Sequence, residues 1–393
     1  MEQHYPWARP TDERTAQLLS RPIRVMYFSD QPNPGSFRYR VYNMICALQN
    51  ETVNVSAEYF TENDGAVVMR LVKDVDRLVI HRTLYTDFAA RLILNAKRFG
   101  VPVFYDIDDY VFDEMAVPEL VHSLDKMPFA TDRHIEYTEW NAWFGWASRY
   151  KILMAKCEKV IVTTEYLAHL VASVTGEPTI VVPNFLSYEE LSLSEELYQE
   201  KLKSGLNSNG LRIGYFSGTA SHQRDLALAA PGIKKFLSEQ PNSTFHLVGY
   251  GDLERAGLGG QMNQIKQHDL VSYAELPKLI AEVDVNIAPL TLNNFTNSKS
   301  ELKYFSAAAV GTPTIASPTS PMKDAIDSGS NGWLANADDW YETLCAWADS
   351  ALADYQKIVV NAHDDALAHF TPKACIGQLL SALELSEKAI LAE

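Results

Sequence analysis

The segment with the clearest chemical potential is 297–317, which reads NSKSELKYFSAAAVGTPTIAS. Polar residues open it, an apolar helical pattern follows, and a Gly and a Pro end the pattern before a β-branched run. The N-terminus of such a helix offers free backbone N–H groups and a partial positive charge, which suit a phosphate. Lys299 and Lys303 are four residues apart and share one helical face, and Ser300 adds a hydroxyl. The alternative is an ordinary solvated helix start with two surface lysines.

A second polar cluster follows the predicted strand 211–218. The strand ends at Gly218 and Thr219, and the loop beyond them carries His222 and Arg224. A guanidinium can hold a diphosphate through two parallel hydrogen bonds, and an imidazole can contact phosphate or sugar. The alternative is that Arg224 pairs with a neighbouring carboxylate while His222 is merely exposed.

The first predicted strand, Ile23–Ser29, leads into a turn that contains Gly35 and Ser36, with Arg38 just beyond. Because Gly35 has no side chain, its backbone could approach a ligand closely. A plain turn between a strand and a helix is equally compatible with the pattern. The turn has no GxGxxG motif, so the sequence does not indicate a nicotinamide-binding fold.

Three carboxylates follow the predicted strand 102–108 in the sequence DIDDY, namely Asp106, Asp108 and Asp109. Crowded carboxylates could bind a divalent metal, orient sugar hydroxyls or act as a base. The alternative is a helix cap followed by a solvated acidic turn.

These segments are positioned by a regular alternation of β-branched runs and helical patterns, which predicts βαβ units on parallel sheets. The predicted strands are 23–29, 77–81, 102–108, 159–164, 179–184, 211–218, 244–251, 283–290 and 312–317. We therefore predict an α/β protein with two Rossmann-like, doubly wound domains, 1–205 and 206–371. A C-terminal helix, 372–393, is expected to pack back on the N-terminal domain. Ligands bind beyond the carboxyl ends of strands in such sheets, so the cleft between the domains is the expected site.

Composition narrows the functional class. The 393 residues include 34 basic and 50 acidic ones, and the net charge of −16 argues against a sequence-independent nucleic-acid binder. Four scattered cysteines without CxxC spacing suggest reduced thiols. Because no apolar signal or membrane-spanning segment is visible, we expect a cytoplasmic protein, either soluble or peripheral at the inner face of the cell membrane.

Taken in order, the motifs resemble those of GT-B glycosyltransferases, specifically retaining family four (group 1) and its branch from bacterial surface-polysaccharide and O-antigen clusters. The resemblance spans most of the chain and rests on GSFRYR, VFYDIDD, CEKVIVTTEYLA, VVPN, IGYFSGTASHQRD, HLVGYGD, IAPL, 299–317 and SGSNGWL. It implies an enzyme that transfers a hexosyl or deoxyhexosyl group from a nucleoside-diphosphate sugar to a lipopolysaccharide-type or other growing glycan, with retention of configuration.

The resemblance also implies roles for individual residues. The amides of the helix start, at Ser300, Glu301 and Leu302, would hold the donor's diphosphate, and Arg224 and Lys303 would neutralise the departing group. The wider donor site would include Gly218, Thr219, His222, Gly249, Gly251, Lys299 and Ser306. Asp108 and Asp109 would be catalytic, and the acceptor would bind near Gly35, Ser36, Arg38 and Asp106.

The chain also departs from the family pattern. Two glutamates usual in the donor segment are replaced by Ser298 and Ser306, and an arginine that often precedes the basic loop residue is replaced by Thr219. Ser306 stands where a glutamate normally holds the nucleotide ribose, and a hydroxyl offers fewer hydrogen bonds than a carboxylate. Lys299 and Lys303 could compensate with positive charge.

The sequence predicts no cofactor and no metal site. The expected partners are the nucleotide-sugar donor and an oligosaccharide or lipid-linked glycan acceptor, with membrane or biosynthetic-complex association as an addition, and no nucleic acid. Two rival functions stay open. One is a metal-dependent GT-A transferase using Asp106, Asp108 and Asp109, and the other is a catalytically inactive GT-B scaffold module.

Overall fold

The computed structural model describes residues 5–30, 32–33, 35–125, 135–206, 209–221 and 223–392. Within this part of the chain, two compact units are formed from interleaved segments. The first unit comprises Met1–Val117, Tyr137–Ser187 and Pro372–Glu393, and the second comprises Pro118–Glu136 and Tyr188–Thr371.

The first unit is built on a parallel sheet that has six strands in the described residues, in the order β2-β1-β3-β4-β5-β6. Its four central strands are almost entirely buried, as expected when helices cover both faces of a parallel sheet. The strands are β1 (Ile23–Ser29), β2 (Val55–Phe60), β3 (Arg77–His81), β4 (Val103–Asp106), β5 (Lys159–Val162) and β6 (Thr179–Val181).

Helices alternate with these strands, and a π-helical turn, Arg38–Tyr42, runs directly into the second of them. The helices are α1 (Thr11–Leu18), α2 (Asn43–Asn50), α3 (Gly65–Leu71), α4 (Asp87–Arg98), α5 (Val117–Ser123), α6 (Tyr137–Met154) and α7 (Glu165–Thr175). All of α5 except its first residue belongs to the second unit.

The second unit also contains a parallel sheet, with six strands in the described residues and the order β12-β11-β10-β7-β8-β9. The strands are β7 (Arg212–Ser217), β8 (Thr244–Gly249), β9 (Ile265–His268), β10 (Val285–Ala288), β11 (Thr314–Ala316) and β12 (Gly332–Leu334). The helices are α8 (Tyr188–Ser204), α9 (Gln223–Glu239), α10 (Leu276–Ala281), α11 (Asn294–Asn297), α12 (Leu302–Ala309), α13 (Ser320–Ala325) and α14 (Trp340–His369). The chain then returns to the first unit with α15 (Pro372–Ala382).

The predicted α/β architecture with two doubly wound, Rossmann-like units is confirmed. Three strands are not predicted by the sequence analysis, namely β2, β9 and β12. In β2, Ser56 and Glu58 interrupt the apolar run, yet both are buried. Glu58 is tolerated there because it forms an ion pair with Arg9.

The units divide the chain differently from the predicted boundary near residue 205. The helix α8 belongs to the second unit, where the Tyr198 ring stacks on His363 with centroids 3.6 Å apart. The buried Lys201 ammonium donates to the Ala281 and Val283 carbonyls and to Thr312. The C-terminal segment belongs to the first unit, where Arg77 donates to the Leu383 and Glu384 carbonyls at 2.6 and 2.9 Å.

Among the described residues, no helix has the length and hydropathy of a membrane span.

Candidate functional site

Each sheet has one place where its strand order reverses. In the first unit, β1 lies between β2 and β3, so the connections after β1 and β2 run in opposite directions across the sheet. In the second unit, β7 lies between β8 and β10 in the same way. The crevice beyond the carboxyl ends of the strands at such a switch point is where ligands bind in open α/β sheets. Polar residues gather at both places.

In the second unit, the chain beyond β7 begins at Gly218, where a Cβ would meet no atom within 4 Å. The Ser217 hydroxyl donates to the Thr219 carbonyl at 3.0 Å, which shapes the turn. The helix α9 then starts, with Arg224 and Asp225 in its first turn. The Asp225 carboxylate accepts the backbone N–H of Thr291, just beyond β10, at 2.8 Å. This bond joins the two sides of the switch point.

Both predicted lysines lie over aromatic rings of the second unit. The Lys303 ammonium is 4.6 Å from the centre of the Tyr215 ring on β7, and the Lys299 ammonium is 4.3 Å from that of Phe295. Lys303 is half-buried, and this burial lowers the pKa of Lys303 to about 8, with Lys299 adding to the effect and Asp225 opposing it. Lys303 thus lies close enough to Asp225, in the first turn of α9, and to Lys299 for both charges to act on it.

The helix α12 begins where the sequence predicts, directly after Ser300 and Glu301. Glu301 is buried, and this burial raises the pKa of its carboxyl to about 7, with Asp324 adding to the effect. A carboxyl that is partly neutral at physiological pH repels an incoming anion less than an ionised one. Leu302 is the first residue of the helix, and Ser306 lies half-buried one turn further on.

Gly249 ends β8 beside the same turn, and its φ of +85° is a conformation that glycine adopts without strain. A Cβ there would also be 2.1 Å from the Ser217 carbonyl oxygen. A Cβ on Gly251 would meet the Leu247 side chain at 2.9 Å. Both glycines therefore permit close packing at the carboxyl edge of the sheet. His222, another predicted donor residue, lies outside the described residues.

In the first unit, a cavity of about 290 Å³ opens at the switch point between β1 and β3. Two of its lining residues come from the end of β1 and two from the end of β3. The lining comprises Ser29, Asp30, Asn33, Ser36, His81, Arg82, Leu84 and Tyr150.

His81 organises the wall of this cavity. Its Nδ1 is 3.0 Å from the Ser29 hydroxyl, and its Nε2 is 2.9 Å from the Ser36 hydroxyl. Burial, together with the nearby Arg82 and Arg40 charges, lowers the pKa of His81 well below its ordinary value. The ring is therefore neutral at pH 7, and it donates to one serine and accepts from the other. Both hydroxyls are held in place.

Arg82 has a φ of +40°, an unfavourable conformation for a residue with a long side chain. Its guanidinium lies 2.9 Å from a carboxylate oxygen of Asp108 and 2.8 Å from one of Asp109. The two predicted catalytic aspartates are thus brought to the cavity edge by one arginine. The strain at Arg82 is balanced by these two ion pairs.

Asp30 is the carboxylate in this cavity without a full set of partners. Its Oδ1 is buried and, among the described residues, accepts no hydrogen bond. Burial raises the pKa of Asp30 to about 6, with Glu62 adding to the effect and Arg149 opposing it. A buried acceptor without a partner is costly, so Asp30 is suited to a ligand that donates a hydrogen bond.

The predicted acceptor residues divide into two groups. Ser36 lines the cavity, and Gly35 stands next to it with its N–H bonded to Asn33. Arg38 is buried over the Tyr39 ring, at 4.2 Å, instead of lining the cavity. Asp106 is also buried and receives two 2.8 Å hydrogen bonds from Arg40. Neither Arg38 nor Asp106 lines the cavity, and Asp106 instead anchors Arg40 at the end of β4.

Sequence analysis missed Asp30, His81, Arg82 and Tyr150. A signal was present, because Asp30 and Arg82 directly follow predicted strands and His81 ends one. In the parts of the chain that the structure describes, no group of three or more His, Cys, Asp or Glu side chains is arranged to hold a metal ion.

Residues 211–354 match a family model described as glycosyl transferases group 1. No curated protein sequence matches the chain significantly. HepE of Anabaena, solved in complex with UDP, is 17% identical with a TM-score of 0.56, and the match covers 92% of this chain and 100% of HepE. A glycosyltransferase of Rickettsia africae is 12% identical with a TM-score of 0.59, covering 93% of this chain and 97% of its own. TarM of S. aureus is 12% identical with a TM-score of 0.53, and the match covers 81% of this chain but only 58% of TarM.

The structural matches concern the fold, and the family match concerns most of the second unit. The protein has the GT-B fold of these structures, and its residues 211–354 are similar to the glycosyl transferases group 1 family.

Proposed function

We propose that the chain transfers a sugar from a nucleoside-diphosphate sugar to a hydroxyl of a growing glycan. The observation that carries this proposal is the position of Lys303 inside the region that matches the group 1 model. The charges of Lys299 and of Asp225, which follows Arg224 at the start of α9, both act on it. Cations and helix N-termini together are suited to a diphosphate.

The donor's diphosphate would lie between the N-termini of α9 and α12. As the bond from the anomeric carbon to the diphosphate breaks, negative charge grows on the departing group, and Arg224 and Lys303 would neutralise it. Ser306 would meet the ribose in place of the family's glutamate, while Gly218, Gly249 and Gly251 would let the donor approach the backbone closely.

The acceptor would bind in the cavity of the first unit. Asp30 and the two serines fixed by His81 offer hydrogen-bond partners for sugar hydroxyls. Asp108 and Asp109 would act at its edge, held there by Arg82. Ser36 and Gly35 would belong to this site, whereas Arg38 and Asp106 would support the surrounding structure without contacting the acceptor.

From the motif resemblance we further expect retention of configuration and transfer of a hexosyl or deoxyhexosyl group. The same resemblance points to a cell-surface polysaccharide or lipid-linked acceptor and to a cytoplasmic or peripheral location in a bacterium. Structures of HepE contain UDP and UDP-glucose, so uridine nucleotides are the first donors to test.

A thermal-shift screen against UDP, GDP, ADP and dTDP tests the donor site. A ligand that binds only the folded state at 100 times its Kd adds about 2.7 kcal/mol of stability, so one nucleotide should raise the melting temperature clearly. Release of that nucleotide from its sugar conjugate then tests turnover. No response to any nucleotide contradicts the proposal, while binding without turnover favours the inactive scaffold.

Removal of divalent metal is expected to leave activity within a few-fold of that of untreated enzyme. The proposed cations and helix N-termini neutralise the diphosphate, so a metal ion has no assigned role. Activity is measured after exhaustive chelation, with and without added manganese. Complete loss that manganese restores would instead support a metal site at Asp108 and Asp109.

The Asp30→Asn variant is expected to raise the KM for the acceptor about tenfold or more and to leave donor binding unchanged. A hydrogen bond to a charged group contributes roughly 1.5–3 kcal/mol. In the wild type, acceptor affinity should fall as the pH drops through about 6, because the carboxylate that accepts the hydroxyl becomes protonated. The variant should lack this pH dependence.

Stability provides a separate readout for Asp30→Asn. The folded state raises the pKa of Asp30 above its ordinary value, so ionisation of this group at neutral pH opposes folding. The variant should therefore melt at the same temperature as the wild type or higher. The exposed Asp74→Asn change is the matched control. An unchanged KM would remove Asp30 from the acceptor site.

A further inference from the structure

The proposed diphosphate ligand Arg224 already holds an anion that belongs to this chain. Its Nη1 lies 3.0 Å from Oδ1 of Asp125 and also donates to the His122 carbonyl at 3.3 Å. The other carboxylate oxygen of Asp125 accepts the backbone N–H of Gln223, the first residue of α9. A guanidinium and a helix-start amide are the donor set that also suits a phosphate.

The segment that carries Asp125 is fixed within the second unit. Glu119 accepts the backbone N–H of Phe295 at 2.8 Å, and Asn293 donates to the Ser123 hydroxyl at 2.7 Å. Asp125 follows α5 with a φ of +55°, a left-handed conformation that aspartate tolerates better than most residues. Its side chain is only 7% exposed, against 18% for Arg224. The carboxylate is therefore placed on Arg224 by a docked segment.

We propose that Asp125 is an internal competitor of the donor, occupying the diphosphate position at Arg224 until the donor displaces it. This inference rests on the proposed function, because it takes Arg224 as a diphosphate ligand. A site open for only a fraction of the time binds its ligand more weakly by that fraction. If Asp125 occupies the site in ten of every eleven molecules, only one in eleven is open to the donor. The apparent Kd for the donor is then about elevenfold higher than that of the open site.

The opposite role for Asp125 is to align Arg224 for the diphosphate, and it has the opposite consequence. A positioning carboxylate would make the donor bind more tightly, so its loss would weaken binding. The two roles therefore differ in the sign of a measured change.

The experiment is calorimetric titration of UDP and of inorganic pyrophosphate into the full chain. Pyrophosphate carries the anion without the base or the sugar. The variants are Asp125→Asn and Asp125→Gly, both of which tolerate the positive φ, and Arg224→Gln. The exposed Asp338→Asn change controls for the loss of one negative charge. Circular dichroism melting curves establish that each variant folds.

We expect both Asp125 variants to bind UDP and pyrophosphate about tenfold more tightly than the wild type, Asp338→Asn to bind like the wild type, and Arg224→Gln to lose most binding. If the Asp125 variants bind equally or more weakly while Arg224→Gln loses binding, the internal competitor is overturned and the donor site stands. If Arg224→Gln binds as the wild type does, the donor site at Arg224 fails, and the competitor fails with it.

Discussion

Lys303→Met and Arg224→Gln are each expected to lower turnover by about 100- to 1000-fold. Both side chains are proposed to meet charge that grows on the departing diphosphate, and removing one such contact typically costs roughly 3–4 kcal/mol of transition-state stabilisation. Rates are measured at saturating donor, so that a loss of transition-state stabilisation is distinguished from weaker donor binding. The exposed Lys357→Ala on α14 is the control and should retain wild-type rates.

The melting temperatures of the variants distinguish this catalytic effect from misfolding. Burial lowers the pKa of Lys303 to about 8, so the unfolded chain binds more protons than the folded one between about pH 8 and the ordinary lysine value. The charged Lys303 therefore opposes folding at pH 7, and Lys303→Met should melt no lower than the wild type. Arg224→Gln leaves the buried Asp125 carboxylate without its guanidinium and should melt lower. A near-wild-type rate in either variant would remove that residue from the site.

The second large effect concerns the first unit, where Arg40→Met is expected to cost about 3–5 kcal/mol of stability. Arg40 is fully buried and donates twice to Asp106 and once to the Val182 carbonyl at 2.7 Å. Removing the guanidinium leaves a buried carboxylate without its counter-charge. Denaturant unfolding, followed by circular dichroism, measures the loss.

Two further variants test whether burial of the ion pair causes this loss of stability. The Arg91–Asp87 pair is largely exposed, at 65% and 82% of the two side chains, so Arg91→Met should change stability by less than about 1 kcal/mol. A double variant, Arg40→Met with Asp106→Leu, should recover much of the loss because it removes both buried charges. Equal effects of Arg40→Met and Arg91→Met would contradict the importance of burial.

The candidate donor residues could be named from the sequence because their signals are local. The spacing of Lys299 and Lys303 and the turn after β7 each lie within one short segment, and helix geometry fixes their relation. Asp30 and His81 are far apart in sequence, and they meet because β1 pairs with β3 in a register that sets Ser29 opposite His81. The register of two buried strands cannot be read from their sequences, so the sequence analysis did not group Asp30 with His81.

The contact between Asp125 and Arg224 could not be predicted from the sequence for a similar reason. The sequence allowed a carboxylate partner for Arg224, but it gave no reason to look a hundred residues upstream. The residues 118–136 lie in the predicted N-terminal domain, yet the structure assigns them to the second unit. The sequence of a short helix with ordinary composition does not indicate which unit the helix packs on.

The interleaving of the two units has a consequence for how the chain is made. The first unit includes Pro372–Glu393, and Val53 donates its N–H to the Ile390 carbonyl at 2.8 Å, while Arg77 bonds the Leu383 and Glu384 carbonyls. Domains usually fold in order of synthesis, N-terminal first. Here the first unit stays incomplete on the ribosome until the whole second unit has been translated. Its six described strands, complete at Val181, therefore wait for the last segment of their unit while residues 188–371 are made.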